Sequence, residues 1–287
     1  MIYREAEMAD RPAGNQRRVR HAQVVRTERM TPHMQRVVLG GPGLAAFPVG
    51  ECTDHYVKLL FAPAGAAYPE PFDLERIREE LPREQWPVSR AYTVRSWDEA
   101  AGEATIDFVI HGDEGVAGPW AVNARPGETV HFLGPGGGYA PDPAADWHLL
   151  AGDESALPAI AAALEALPEG ARVHAFIEVD GPGEEQKIAT DADVVWLHRG
   201  ERPVGEALMA AVRALDFPAG RPHAFVHGEA GWVKELRRHL RLERQVAKEH
   251  LSVSGYWRLG HDDESWRASK REWREQVEAE QETPAAS

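Results

Sequence analysis

The feature that most constrains this chain is a change of texture near its middle. From Val19 to about Leu133, short apolar runs (VRHAQVV, MQRVVLGG, HYVKLLF, RAYTVRSW, ATIDFVIHG and ETVHFLG) are broken by turn residues. Within one of them Thr105, Asp107 and Val109 alternate with Ile106, Phe108 and Ile110, the period of a strand with one buried face. Five or six such strands predict an antiparallel barrel, with helix only around 72–81 and 118–125. After GPGGGYAPDP the run WHLLAG leads into SALPAIAAALEALPEG, then ARVHAFIEV, DVVWLHRG, VGEALMAAVRAL and HAFVHGE. Strand and helix now alternate, the order of a parallel sheet covered by helices. The predicted organisation is a flexible arm over 1–18, a barrel over 19–140, an α/β domain over 141–260 and a polar C-terminal helix over 261–287. That helix has Ser265 as its cap and Trp266 and Trp273, seven apart, on its docking face.

Charge and cysteine content narrow the chemistry. The chain has 32 basic and 46 acidic residues, a net charge of −14, which argues against a nucleic-acid backbone or an anionic membrane surface as partner. One cysteine, Cys52, excludes an internal disulfide and a four-thiolate iron–sulfur or zinc site. No His pair has zinc spacing, so no metal site is expected. The first thirty residues lack the apolar run of a signal peptide and no stretch approaches membrane-span length, so a cytoplasmic protein is expected.

Several segments pair residue types that suit a bound nucleotide. Arg90, Tyr92, Thr93 and Arg95 share one strand-like run. A guanidinium fork suits phosphate oxygens, a Tyr ring offers a stacking surface, and Thr93 can bond a ring edge; alone, such a run also reads as a solvated face. Asp107 and His111, four apart, share a face of a regular strand, either as rim groups or beside a ligand. GPGGGY resembles a dinucleotide loop but precedes a Pro-rich stretch and opens no helix, so it is set aside. WHLLAGDESALPAI is the better candidate: a strand ends at Gly152, and Asp153 or Ser155 caps the next helix, leaving its N-terminus for a pyrophosphate or closing an ordinary turn. Arg199, at the end of a later strand, suits the 2′-phosphate that distinguishes NADPH, or is solvated.

Eight segments in order sharpen this reading: DHYVK at 54–58, RAYTVR at 90–95, IDFVIHG at 106–112, Trp120-Ala121, Gly134-Pro135, GDESALP at 152–158, Gly228-Glu229 and GYWR at 255–258. With them the chain resembles the siderophore-interacting proteins, FAD-dependent ferric-siderophore reductases of the ferredoxin reductase-like superfamily. The resemblance implies an antiparallel six-stranded FAD-binding barrel followed by a parallel-sheet NAD(P)-binding domain. It implies that Arg90, Tyr92, Thr93 and Arg95 bind FAD, with Tyr92 against the isoalloxazine and an arginine on the pyrophosphate. Asp107, His111 and the turn carrying Gly115, Ala117, Gly118, Trp120 and Ala121 are implied to complete that site. The family often has Ser where this chain has Gly118. For NADPH or NADH it implies Gly152, Asp153, Glu154, Ser155, Arg199 and Glu229, with a ferredoxin as an alternative donor.

The implied substrate is a ferric siderophore, whose hard oxygen donors prefer Fe³⁺ to Fe²⁺, so that one electron loosens the metal and the protein needs no iron ligands. Lys58 and Arg258 match the family's basic substrate pocket. A third basic residue often follows the Gly-Pro, and position 136 here is Gly. Other readings stay open: a general FAD-linked NAD(P)H oxidoreductase with another acceptor, a siderophore carrier that does not reduce, or an interaction protein using the terminal helix.

Overall fold

The computed structural model describes residues 18–44, 47, 50–112 and 115–282. The expected arm at 1–18, apart from Arg18, and the last residues of the tail lie outside them. The chain divides into two compact units, Met1–Gly138 and Tyr139–Ser287.

In the first unit six strands close a barrel: β1 (Arg20–Thr31), β2 (Met34–Gly40), β3 (Tyr56–Phe61), β4 (Val88–Asp98), β5 (Glu103–Val109) and β6 (Thr129–Gly136). Their order is β1-β2-β5-β4-β3-β6, every pairing antiparallel, with β6 returning to β1. The alternation in the sequence sets the inner face. Val57, Leu59 and Phe61 of β3 and Ala104, Ile106 and Phe108 of β5 point into one core with Val37, Leu39, Val130 and Phe132. Helix α1 (Leu74–Glu80) is capped by Asp73, whose carboxylate accepts from the amides of Glu75 and Arg76. Helix α2 (Ala117–Asn123) turns Ala117 and Ala121 into the barrel core. The Gly-rich segment that follows Leu133 is partly strand, since β6 runs on to Gly136.

The second unit holds a parallel sheet of β7 (Trp147–Gly152), β8 (Val173–Val179), β9 (Val194–His198), β10 (Pro222–Glu229) and β11 (Leu251–Trp257). The order is β11-β10-β7-β8-β9. Helices α3 (Leu157–Ala166), α4 (Glu206–Ala214) and α5 (Ala230–Arg238) fill the crossovers. The chain steps one way from β7 to β8 and β9, then crosses to β10 and β11. The order therefore reverses between β7 and β10, the place where open α/β sheets bind ligands at their carboxyl ends. All six residues of β7 are buried, as expected for a central strand covered on both faces.

Helix α6 (Asp263–Glu282) docks on this unit through Trp266 and Val277, both buried, with Trp273 half-buried 5.4 Å from Trp266 between ring centroids. Its cap is Asp262 and not Ser265: the Asp262 carboxylate accepts from the Ser265 amide at 2.8 Å. The helix begins three residues earlier than a Ser265 cap would place it, because a carboxylate placed before Asp263 and Glu264 reaches the third amide.

Candidate functional site

In the first unit the candidate residues gather on β3, β4 and the turn into α2. Register pairs Val57 with Tyr92 and Leu59 with Arg90, so Arg90 and Tyr92 share the inner face at the barrel's end. Tyr92 is half-buried with its ring centroid 4.3 Å from that of Phe108. Tyr56 pairs with Thr93 and Lys58 with Ala91, so Lys58 and Thr93 lie on the opposite face. A register shift between Val94 and Ser96 places Arg95 at a bulge, which re-aims its side chain. Arg90 donates to the Ser89 carbonyl at 3.1 Å.

Asp107 is engaged elsewhere. Its carboxylate accepts both bonds of the Arg36 fork, at 2.7 and 2.8 Å, across the β2–β5 pair, and its side chain is 2% exposed. The expected shared face of Asp107 and His111 does not form a unit, since β5 ends at Val109 and His111 sits exposed in the turn beyond it. Trp120 packs on Phe61 and Phe108 and donates its indole N–H to Glu128 at 2.7 Å. The buried Ala117 and Ala121 thus offer a cofactor only their backbone, while Trp120 stays partly exposed. Gly115 (φ +80°) and Gly118 border open space: a Cβ at 115 would meet nothing within 4 Å, and one at 118 only Ile110, at 3.9 Å. No side chain caps α2 at Val116. Room without side chains, uncapped amides, two arginines and a half-buried ring fit an FAD whose phosphates are met by backbone N–H groups and guanidinium.

Gly136 carries the departure noted at the third basic position, and the structure supplies its cause. A Cβ there would stand 2.5 Å from Tyr56 Cζ, so the Tyr56 ring occupies the space a side chain would need. This pairing was illegible in sequence because residues 56 and 136 meet only through the β3–β6 register.

In the second unit, the residues of the β7–α3 turn meet those at the ends of β9 and β10. Asp153 is fully buried. One carboxylate oxygen accepts from the Ser155 amide at 3.0 Å and its hydroxyl at 2.5 Å; the other accepts from the Glu229 amide at 2.8 Å and the Trp257 indole at 3.0 Å. Asp153 therefore ties together the ends of β7, β10 and β11 and does not cap α3, whose cap, Ala156, makes no side-chain bond. Burial pushes its carboxyl up to about 6; the Ser155 bond opposes this, the Glu154 charge adds to it, and the Glu229 and Trp257 donors oppose it. Gly228 (φ +149°) is required here, because a Cβ would collide with Asp153 and Trp232.

Glu229 caps α5, accepting from Gly231 at 2.7 Å and Trp232 at 3.2 Å, while its other oxygen accepts from the Leu259 amide at 3.2 Å. Arg199 meets Glu154 as a fork, at 2.7 and 3.2 Å. Half-buried Arg258 lies over Trp266 of α6, 5.9 Å from the ring centroid. Trp257, Arg36 and Tyr56 are the residues the structure adds to the candidates.

Among the described residues no helix is long and apolar enough to cross a membrane, and no group of three or more His, Cys, Asp or Glu could hold a metal.

Comparison with known proteins agrees with this geometry unit by unit. Residues 23–139 match a family model described as a siderophore-interacting FAD-binding domain, and residues 145–260 one described as siderophore-interacting protein. An uncharacterised Mycobacterium tuberculosis protein is 48% identical over 87% of this chain and 94% of its own length. The ferric vibriobactin reductase of Vibrio cholerae is 35% identical over 84% and 90%. The NADPH-dependent ferric-chelate reductase of Escherichia coli is 33% identical over 85% and 94%. Among solved structures, a siderophore utilization protein from T. fusca superimposes with a TM-score of 0.73 at 36% identity, covering 86% of this chain and 95% of that one.

Proposed function

The chain belongs to the siderophore-interacting protein family, and from that premise we propose that it is a cytoplasmic, FAD-dependent ferric-siderophore reductase that draws electrons from a nicotinamide nucleotide. The observation that carries the reading is the pairing of an FAD-binding-type barrel, with Arg90, Tyr92, Thr93 and Arg95 on one strand, and a parallel sheet with its switch point at Asp153 and Glu229. Bound FAD supplies the conversion between a two-electron donor and a one-electron acceptor.

The residues of the chain bind and orient, and none is needed as an acid or base. Arg90 and Arg95 offer guanidinium forks to the pyrophosphate, and Tyr92, backed by Phe108, offers a ring to the isoalloxazine. The backbone from Gly115 to Gly118 gives close approach without a side chain. Lys58, half-buried on the outer face of β3, makes no ion pair among the described residues and supplies a positive charge for an anionic ferric chelate. By the family resemblance Arg258 is a further candidate for contact with the chelate. Iron arrives and leaves as substrate, held by the siderophore's own oxygens.

The test is to load the protein with FAD, reduce it anaerobically, add a ferric siderophore, and follow flavin absorbance together with a ferrous trap. Flavin reoxidation matched by Fe²⁺ is expected. Flavin that binds and reduces but ignores the chelate would point to another acceptor, and failure to bind flavin would remove the barrel reading altogether.

A further inference from the structure

The arginine that a 2′-phosphate would seek at the end of β9 is already taken by carboxylates. The backbone fixes the ends of β8 and β9 side by side: the Arg199 amide donates to the Val179 carbonyl at 2.8 Å and the Gly200 amide to that of Asp180 at 3.0 Å. The Arg199 guanidinium, 17% exposed, is then enclosed by three carboxylates: Glu154 at 2.7 Å, Asp180 at 3.4 Å and Glu178 at 3.7 Å. Of the two neighbouring cations, exposed Arg202 makes no ion pair among the described residues and keeps its charge, while His198 has a carboxylate partner. Arg202 donates to the carbonyls of Arg199 and His198, and His198 bonds Glu185 at 2.7 Å. With Glu178 ionised the three carboxylates outweigh Arg199 and Arg202 together, and with it protonated Glu154 and Asp180 still match both charges, so none is left over for a further anion.

A 2′-phosphate carries nearly two negative charges at neutral pH. To reach Arg199 it would have to displace the Glu154 fork and lie against Asp180. A ribose hydroxyl meets the opposite circumstances. Asp180, its side chain 54% exposed, stands at the carboxyl end of the second strand of the sheet, where an acidic residue accepts a bond from the 2′-hydroxyl in folds of this kind.

We propose that the nicotinamide donor of this chain is NADH, with Asp180 accepting from the adenosine ribose and the Glu154–Arg199 pair excluding the phosphorylated dinucleotide. The proposal rests on the reductase reading above and deepens it by naming the donor. It also separates this chain from the NADPH-dependent relative in Escherichia coli.

Two measurements test it on the FAD-loaded, full-length protein. Anaerobic single-turnover bleaching of the flavin should be at least about tenfold more efficient with NADH than with NADPH, since an unrelieved like-charge contact is costly. Calorimetric titration with ADP-ribose and with its 2′-phosphate, which needs no electron transfer, should show the same preference. Glu154→Gln should narrow the gap by improving NADPH, and Asp180→Asn should weaken NADH more than NADPH. A wild-type protein that takes NADPH as well as or better than NADH would overturn the proposal, as would an Arg199→Met variant that loses NADPH selectively. If dithionite bleaches the flavin and neither nucleotide does, the nicotinamide reading itself falls and the selectivity with it, a result distinct from the other two.

Discussion

His227 shows how a single side chain can set an acid limit for the whole second unit. It lies on β10, 4% exposed, stacked on Phe225 at 3.7 Å between centroids and bonded through Nε2 to Ser252 at 2.9 Å. Burial, with a smaller contribution from Lys270, pushes its pKa down to about 3. The unfolded chain therefore binds a proton that the folded chain refuses. Stability from this group is complete above about 6.5 and is lost steadily as pH falls toward 3, at about 1.4 kcal/mol per unit. His227→Phe should flatten the fall of Tm with acid over that window, at a cost of about 1 kcal/mol at neutral pH for the lost Ser252 bond; a series of thermal melts by circular dichroism checks it. At the same scale, Arg90→Ala should weaken FAD about 10- to 100-fold while leaving the melting curve of the apoprotein nearly unchanged, read as flavin content and by titration. Lys58→Ala should slow reoxidation by an anionic ferric siderophore about fivefold and leave reduction of the flavin by its donor unchanged, which rapid mixing separates. Equal losses in both steps would remove Lys58 from the substrate's side.

Elements were the most legible level. The period-two runs became the six barrel strands and the alternating runs became the parallel sheet, because each pattern admits one way of hiding its apolar face. Errors fell at ends. Asp107 and His111 separate because β5 stops at Val109, and α6 starts from Asp262 because a side-chain cap outranks intrinsic preference. The sequence marks α6 as polar, yet it is fastened in depth. Trp266 is 1% exposed and donates to the Tyr256 carbonyl at 3.2 Å, and buried Gln281 bonds Arg237 at 2.7 Å and the Lys234 carbonyl at 3.1 Å. Trp266→Ala should therefore cost about 3–5 kcal/mol, and truncation after Gly260 at least as much, measured by denaturant unfolding. A melting point that ignores the truncation would make α6 an appendage.

At the scale of the whole molecule the net charge of −14 opposes an anionic chelate at a distance, and the contact proposed for Lys58 would act only close by. Raising ionic strength from about 0.01 to 0.15 M shortens the screening length from about 30 to 8 Å. Reoxidation by an anionic ferric chelate should accelerate over that range and reoxidation by a neutral one should not, which a salt series in rapid mixing decides. The same scale explains what the sequence concealed of the candidate site. Residue types and strand ends were readable, but the partners that define their states, Arg36 for Asp107, Glu154 for Arg199 and Trp257 for Asp153, are 71, 45 and 104 positions away and are joined only by folding.

The closure of the barrel by β6 against β1 has a further consequence during synthesis. Each unit is contiguous in sequence, so the first one has all its strands once Gly136 has left the ribosome, while the second has yet to appear. Until β6 arrives, β1 and β3 each wait with an unpaired edge, and the step that joins β6 to β1 links residues more than a hundred positions apart, the slowest kind of contact to make. The nascent barrel is thus exposed to mispairing for as long as that final strand takes to be translated, and a pause placed just after it would favour correct closure.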